Sequence, residues 1–235
     1  LINESINRID NFIIKNNIKY LINIILRTHL RENEFYKCVN SILSQTYTKY
    51  IIHILYDHDD TYNYIKYYKK YPNILFHKMY RKSNNSCFFD LYCDEIKKTI
   101  TEGFIMNLDD DDYFIHDDCL KIINDTLNKD SVVIWKFIKC HKYIYPTDFN
   151  NIKYGEIDNC SIIYHNKIKN KSNYGDFYGS DYFFIKNLLK DTNIFFLDFA
   201  LIATIYYKKI NNLLSKELFI ENQKDPCSLG FTDIN

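Results

Sequence analysis

The sequence predicts an α/β domain wound around a mostly parallel central sheet flanked by helices, with a smaller mixed half behind it, and three observations carry that prediction. Short apolar runs alternate with stretches of helical spacing in the order βαβαβαβ between Asn23 and Leu108. Two of those runs end in acid, one in Asp57-His58-Asp59-Asp60 and the other in Asp109-Asp110-Asp111-Asp112. The residues beyond 138 lack long helical patterns, and 143–164 is rich in Tyr, Ile and Asn. Alternation of strand and helix implies right-handed crossovers, with ligand groups gathered at the carboxyl edge of the sheet. Asp57 and Asp109 are therefore expected on one edge.

In chain order, Ile2, Ile6, Ile9 and Ile13 recur at helical spacing, so residues 1–20 read as a lead-in helix or linker. Residues 23–26 form a first buried strand, followed by the polar turn Arg27-Thr28-His29. Phe35, Cys38, Val39, Ile42 and Leu43 place a helix over 31–45, and 51–56 is the second strand. A helix over 62–71 stops before Pro72, and 74–76 makes a third strand. The helical pattern of 89–101 delivers the chain into the strand 104–108, a run apolar enough to be covered on both faces. Leu120, Ile123 and Leu127 then mark a helix over 117–127, and 132–138 is a strong strand holding the single tryptophan, Trp135. Between 143 and 164 the pattern is of short strands and wandering loop, with 160–164 the clearest strand. A polar loop over 170–179 leads to a helix over 180–189, capped by Ser180 or Asp181, and 194–197 and 203–207 are the expected final strands. One domain over 21–215 results, divided into a 21–115 half and a 116–215 half. Residues 216–235 read as a tail leading to a further domain.

At 235 residues, 46% hydrophobic and 26% charged, the chain has a globular composition and can bury a sizeable core. The formal net charge is zero, which disfavours nucleic acid or an anionic membrane as partner. Seven scattered cysteines form no CxxC pair, and that pattern predicts reduced thiols and a cytoplasmic location. No apolar run is long enough to span a membrane, since 194–207 is interrupted by Asp198. The first residue is Leu1, so a piece of a longer protein is expected.

Four adjacent carboxylates repel one another unless positive charge sits among them, and hard divalent cations such as Mg²⁺ or Mn²⁺ accept carboxylate oxygens. In extended backbone, residues i and i+2 face the same side, so Asp109 and Asp111 are placed to share one ligand. The same residues also fit a solvated acidic loop before the next helix.

Three stretches resemble a known family. Ile24-Ile25-Leu26-Arg27-Thr28-His29 continuing to Ser41-Ile42-Leu43-Ser44-Gln45-Thr46, then Ile54-Leu55-Tyr56-Asp57, then Gly103 through Phe114 (GFIMNLDDDDYF) are similar to the nucleotide-sugar glycosyltransferases of GT-A fold, in the inverting family 2. Asp109-Asp110-Asp111 is similar to that family's DxD motif, and Gly179-Ser180-Asp181 resembles its G-E-D segment. The resemblance covers about residues 19–214. It departs from the family at Cys93-Asp94, where Arg-Asn is usual, at Ser180, where an acid is common, at Tyr207-Lys208 for Tyr-Arg, and at Asn211 for a histidine.

What the resemblance implies is a Rossmann-like GT-A domain that moves a sugar from a nucleotide-sugar to an acceptor hydroxyl. Arg27, Thr28, Leu30, Asp57, Asp94, Asp109 and Asp110 would contact the donor. Asp57 would accept the imide proton of uracil, favouring a UDP-sugar. Mn²⁺ or Mg²⁺ would sit on Asp109 and Asp111, with His165 as a third ligand, and Asp181 would be the general base. Arg81, Lys82 and Lys97 are candidates for phosphate, Asp110 and Asp112 for ribose or support of the metal, and Tyr143, Tyr145, Tyr174 and Tyr178 for stacking on the acceptor, a glycan, a protein or a small molecule. Two rival readings use the same residues: a nucleotide-sugar-binding scaffold without turnover, and a metal-dependent nucleotidyltransferase or phosphohydrolase.

Overall fold

Alternate residues of the central strands feed two separate apolar layers. The computed structural model describes residues 1–10, 19–80 and 88–205. Strand β1 (Ile22–Arg27) lies between β2 (Tyr50–Tyr56) and β4 (Phe104–Asp109), parallel to both, and β3 (Ile74–Lys78) continues the parallel set outside β2. Ile24, Leu26, Met106 and Leu108 enter one layer, whereas Ile25 and Ile105 enter the other. A period of two along each strand dictates this division. The first layer is covered by α1 (Ile2–Asp10), α2 (Glu32–Leu43), α3 (Asp59–Ile65) and α5 (Cys119–Thr126), the second by α4 (Phe89–Thr99) and α6 (Ser180–Leu188).

Beyond β4 the sheet becomes mixed. Antiparallel β8 (Ile162–His165) joins β4 to β6 (Ser131–Lys139), which carries the short β7 (Tyr143–Tyr145) at one end. Strand β9 (Asn193–Thr204) runs parallel to β6, and β5 (Asp112–Phe114) closes the order β3-β2-β1-β4-β8-β6-β9-β5. The expected α/β class with a parallel half and a mixed half is therefore what the chain forms.

Some elements differ from their sequence pattern. The two expected final strands are one strand, because a bulge opposite Trp135–Phe137 turns Asp198 outward instead of breaking the pairing. Asp198 there meets Arg8 at 3.1 Å and pairs with Lys136. The expected 62–71 helix starts earlier, at Asp59, because the His58 ring accepts the Asp60 N–H at 3.2 Å and two acids occupy the first turn. It tightens into a 3₁₀ turn over Lys66–Lys70. The cap of α6 is Gly179, at φ +80°, rather than Ser180 or Asp181. Cys38, Cys93, Cys119 and Cys160 are free and buried, but Cys140 is disulfide-bonded, so the expectation of reduced thiols throughout does not hold. Among the described residues no helix is long and apolar enough to cross a membrane.

The Ser41-Ile42-Leu43-Ser44-Gln45-Thr46 string is a structural tether. Gln45 Nε2 donates to Ser41 O and His116 O at 3.0 and 2.8 Å, while its Oε1 accepts Leu120 N–H at 2.8 Å at the start of α5. Ser41 Oγ accepts the Phe114 N–H at 3.0 Å. These bonds fasten the chain leaving the acidic turn to the end of α2.

Candidate active site

Parallel register sets Arg27 directly opposite Asp109 at the tips of β1 and β4. Arg27 Nε and Nη2 donate to Asp109 Oδ1 and Oδ2, each at 2.6 Å, in a fork-to-carboxylate pair. The remaining nitrogen, Nη1, pairs with Asp90 in the first turn of α4, and the second oxygen of Asp90 accepts the Ser180 hydroxyl. Arg31 spans the next two acids, pairing with Asp110 and donating to Asp111 Oδ2 at 3.1 Å. Positive charge among the aspartates is thus supplied first by two arginines, where the sequence pattern pointed to a divalent cation.

The four aspartates divide by environment. Asp110 is fully buried, and burial pushes its carboxyl up to about 7 against the pull of Arg31. It turns back toward the β1 loop, near the His29 N–H at 3.4 Å, and is not on the cavity wall. Asp112 Oδ2 accepts the Asp109 N–H at 2.9 Å and its Oδ1 accepts the Thr204 hydroxyl at 2.7 Å, which shapes the turn. Asp109 and Asp111 line a cavity of about 550 Å³. Burial raises the Asp111 carboxyl above the usual carboxylate range, opposed by Arg31.

Across that cavity stands the N-terminus of α6. Asp181 Oδ1 accepts the Tyr182 N–H at 2.9 Å, and burial raises its carboxyl to about 6. Asp158, which precedes the short 3₁₀ turn Asn159–Ser161 and caps it, lines the same wall; burial and the Asp181 charge push it up to about 8. Phe89, Tyr154, Tyr178 and Tyr182 bring aromatic rings to the lining. Gly179 fits under Tyr154 because it has no side chain: a Cβ there would lie 2.0 Å from the Tyr154 hydroxyl oxygen.

A second cavity of about 450 Å³ adjoins the first, with His29 and Phe89 on the walls of both. Asp57 lines it, held by His29 Nδ1 at 2.6 Å and by the Tyr92 hydroxyl at 3.3 Å. Thr28 lines the first cavity, buried, with its hydroxyl 2.9 Å from that of Tyr64. Leu30 is on neither wall: it is half-exposed at φ +54°, and its N–H donates to Thr61 at 3.1 Å.

Two expected site residues lie elsewhere. His165 pairs with Phe104, at the opposite end of β4 from Asp109, because β8 runs antiparallel to β4. Five residues of strand, about 17 Å, separate it from the acidic tip, out of reach of a shared metal. Asp94 is buried against Lys97 at 2.5 Å and accepts the Tyr174 N–H at 2.9 Å, so it braces α4 against the loop at Tyr174. One turn earlier on the same helix, Asp90 is the residue that faces the cavity. Lys97 donates to Ser172 O at 2.6 Å rather than facing the cavity, and Tyr174 is buried with its hydroxyl 2.7 Å from Asn107 Nδ2. Tyr143 and Tyr145 stack on each other away from both cavities, whereas Tyr178 is on the wall. Arg81, Lys82, Tyr207, Lys208 and Asn211 lie outside the described residues. Asp90, Asp158, Lys139 and Arg31 are wall residues that sequence pattern did not single out.

The charge on these walls bears on a divalent ion. Among the described residues, Asp90, Asp109, Asp111, Asp112, Asp158 and Asp181 share these walls with three arginine and lysine side chains, Arg27, Arg31 and Lys139. Among the described residues no three His, Cys, Asp or Glu side chains are grouped to hold a metal by themselves. An ion that arrives with a diphosphate needs only one or two protein carboxylates, and Asp111 with Asp109 fits that need.

The sequence pattern defining Glycosyl transferase family 2 matches residues 23–201. The chain belongs to that family. Solved structures with the same fold include residues 1–349 of S. aureus TarS, at 16% identity and a TM-score of 0.64, covering 78% of this chain and 60% of that one. The TarS 1–349 complex with UDP-GlcNAc matches with a TM-score of 0.64 over 85% of this chain and 63% of that one. The mannosyltransferase PcManGT from Pyrobaculum calidifontis, in complex with GDP-Man and Mn²⁺, has 10% identity and a TM-score of 0.62, over 88% of this chain and 64% of that one. This family 2 chain therefore spans less than two thirds of each of these structures. No curated protein sequence matches it. The fold is GT-A, and the parallel half and the mixed half are its architecture here.

Proposed function

We propose that this family 2 chain is an inverting glycosyltransferase that moves a sugar from a nucleoside diphosphate sugar to an acceptor hydroxyl. The observation that carries the proposal is one cavity with Asp109 and Asp111, at and just past the tip of β4, on one side and a half-buried carboxylate of raised pKa, Asp181, on the other. The acceptor oxygen attacks the anomeric carbon, its proton passes to Asp181, and the bond from that carbon to the β-phosphate oxygen breaks, releasing nucleoside diphosphate. Attack from the side opposite the leaving group inverts the anomeric centre.

Arg27 and Arg31 hold Asp109 and Asp111 in place and offer N–H donors toward phosphate. Mn²⁺ or Mg²⁺ held by Asp111, with Asp109 beside it, would supply Lewis-acid stabilisation of the leaving diphosphate. Asp57, steadied by His29 and Tyr92 in the adjoining cavity, offers a carboxylate to the imide of uracil, which favours UDP over GDP. The UDP-GlcNAc bound by TarS agrees with that preference, and GDP-Man with Mn²⁺ in PcManGT agrees with a metal-assisted donor.

Calorimetric titration with UDP, GDP, TDP and CMP, with and without Mn²⁺, tests the donor assignment: UDP is expected to bind tightest, and only well with the ion. Release of UDP from a panel of UDP-sugars then tests turnover. Binding without turnover under every acceptor tried would identify a nucleotide-sugar-binding scaffold instead.

A further inference from the structure

We propose that Asp90 and Ser180 act as positioning residues that couple the donor side of the cavity to Asp181. This rests on the reading of Asp181 as base and of the Asp109 edge as the phosphate side.

Four side chains from four elements form one unbroken hydrogen-bonded chain. Asp109 at the end of β4 is gripped by Arg27 at the end of β1; Arg27 pairs with Asp90 on α4; Asp90 accepts the hydroxyl of Ser180, the first residue of α6. Asp181 is the next residue. None of these links is a loose surface contact, since the Arg27 and Asp90 side chains are 13% and 15% exposed and Ser180 is 1% exposed. Asp90 divides its two oxygens between Arg27 and Ser180, so whatever draws on one changes what is available to the other.

The start of α6 reaches α4 through a side-chain bond, that of Ser180 to Asp90. Its cap, Gly179, makes no side-chain bond and stands in the left-handed conformation. Asp181 accepts a neighbouring N–H, that of Tyr182, within the same turn. The Ser180 hydroxyl is the tie that sets this turn against α4, while the Tyr154 hydroxyl, donating to Tyr178 O at 3.1 Å, holds it from the other side.

A guanidinium binds phosphate and carboxylate with the same fork of N–H donors. A diphosphate arriving beside Asp109 competes for Arg27, alters its hold on Asp90, and through Ser180 shifts the turn that carries Asp181. Such coupling is reciprocal: if donor binding biases the turn, the state of the turn biases donor affinity.

The test uses the full chain and UDP with Mn²⁺ as the probe. Ser180→Ala, Ser180→Thr, Asp90→Asn and the Ser180→Ala/Asp90→Asn double variant are compared for UDP affinity by calorimetry, for kcat and acceptor KM, and for fold by circular dichroism. Ser180→Ala is expected to change UDP affinity by about fivefold or more although Ser180 reaches Arg27 only through Asp90, in line with the range of known site-to-site couplings. Its kcat is expected to fall more than its acceptor KM rises, and Ser180→Thr, which keeps the hydroxyl, restores both. The two single losses are expected to be non-additive in the double variant. If Ser180→Ala does not fold, Asp90→Asn carries the test, because it keeps the shape and an acceptor oxygen while removing the charge. Unchanged UDP affinity in folded Ser180→Ala or Asp90→Asn, or additive losses, overturns the relay alone. Wild-type protein that binds no nucleoside diphosphate overturns the functional reading and the relay with it.

Discussion

Acidifying the assay is expected to switch transfer off through Asp181. Burial raises that carboxyl to about 6, and a general base works only as the carboxylate, so kcat/KM falls as pH drops through that value and levels off above it. With a single ionisation there, about nine tenths of the base is protonated at pH 5 and about one tenth at pH 7, so the rate differs about tenfold between the two. Asp158, pushed up to about 8, keeps its proton while Asp181 loses its own, because two carboxylates on one wall resist ionising together. Both ionisations belong to the pair. Above about pH 8 a second negative charge appears on the Asp181 wall, facing the departing diphosphate across the cavity, so a fall in rate is expected there that Asp158→Asn abolishes. Asp181→Asn is expected to lower kcat by about 10²–10⁴-fold, or about 3–5 kcal/mol of barrier. UDP release followed at constant ionic strength from pH 5 to 9 measures all three. A flat wild-type profile between pH 5 and 7, or an Asp181→Asn enzyme within tenfold of wild type, refutes the assignment.

Arg31→Met leaves Asp110 and Asp111 without their cation and is expected to cost about 1–3 kcal/mol, less than for a fully enclosed pair because Arg31 is 43% exposed. Urea denaturation should show that loss to be smaller at pH 5 than at pH 8: Asp110, with its folded pKa near 7, is protonated at the lower pH and then needs no counter-charge. Equal losses at the two pH values would contradict the pairing. Gly103→Ala is expected to lower the melting temperature, with about 1–3 kcal/mol lost, because Gly103 stands at φ +81° and a Cβ would lie 2.4 Å from Leu21 O. An unshifted melting curve would count against that backbone constraint.

The parallel half was legible because its strands are short apolar runs set between helical spacings, and nothing in their tertiary surroundings opposes those local patterns. The acidic tips were legible for the same reason: once β2 and β4 are parallel neighbours of β1, Asp57 and Asp109 must share an edge. The counter-charge was harder. Four adjacent aspartates call for a cation, but whether an ion or a side chain supplies it depends on register, and Arg27↔Asp109 emerges only when β1 and β4 are paired residue by residue. Asp90 and Asp94 sit four apart on one helix, so local sequence cannot say which of them looks into the cavity. His165 follows an apolar run as Asp109 does, yet the opposite strand direction sends it to the far end, and direction is not written in a strand's composition. Asp158 lies in a loop with no periodicity, and the cap it forms on Asn159–Ser161 is its one local signal.

The Arg27–Asp109 grip ties the lengths of two strands together. Both elements have six residues and stay in step from Ile22↔Phe104 to Arg27↔Asp109. A one-residue insertion or deletion inside either would move the guanidinium and the carboxylate to opposite faces of the sheet. Lineages of this chain should therefore gain and lose residues freely in the connecting segments but hold these two spans constant, so that drift in size is channelled away from the sheet's centre.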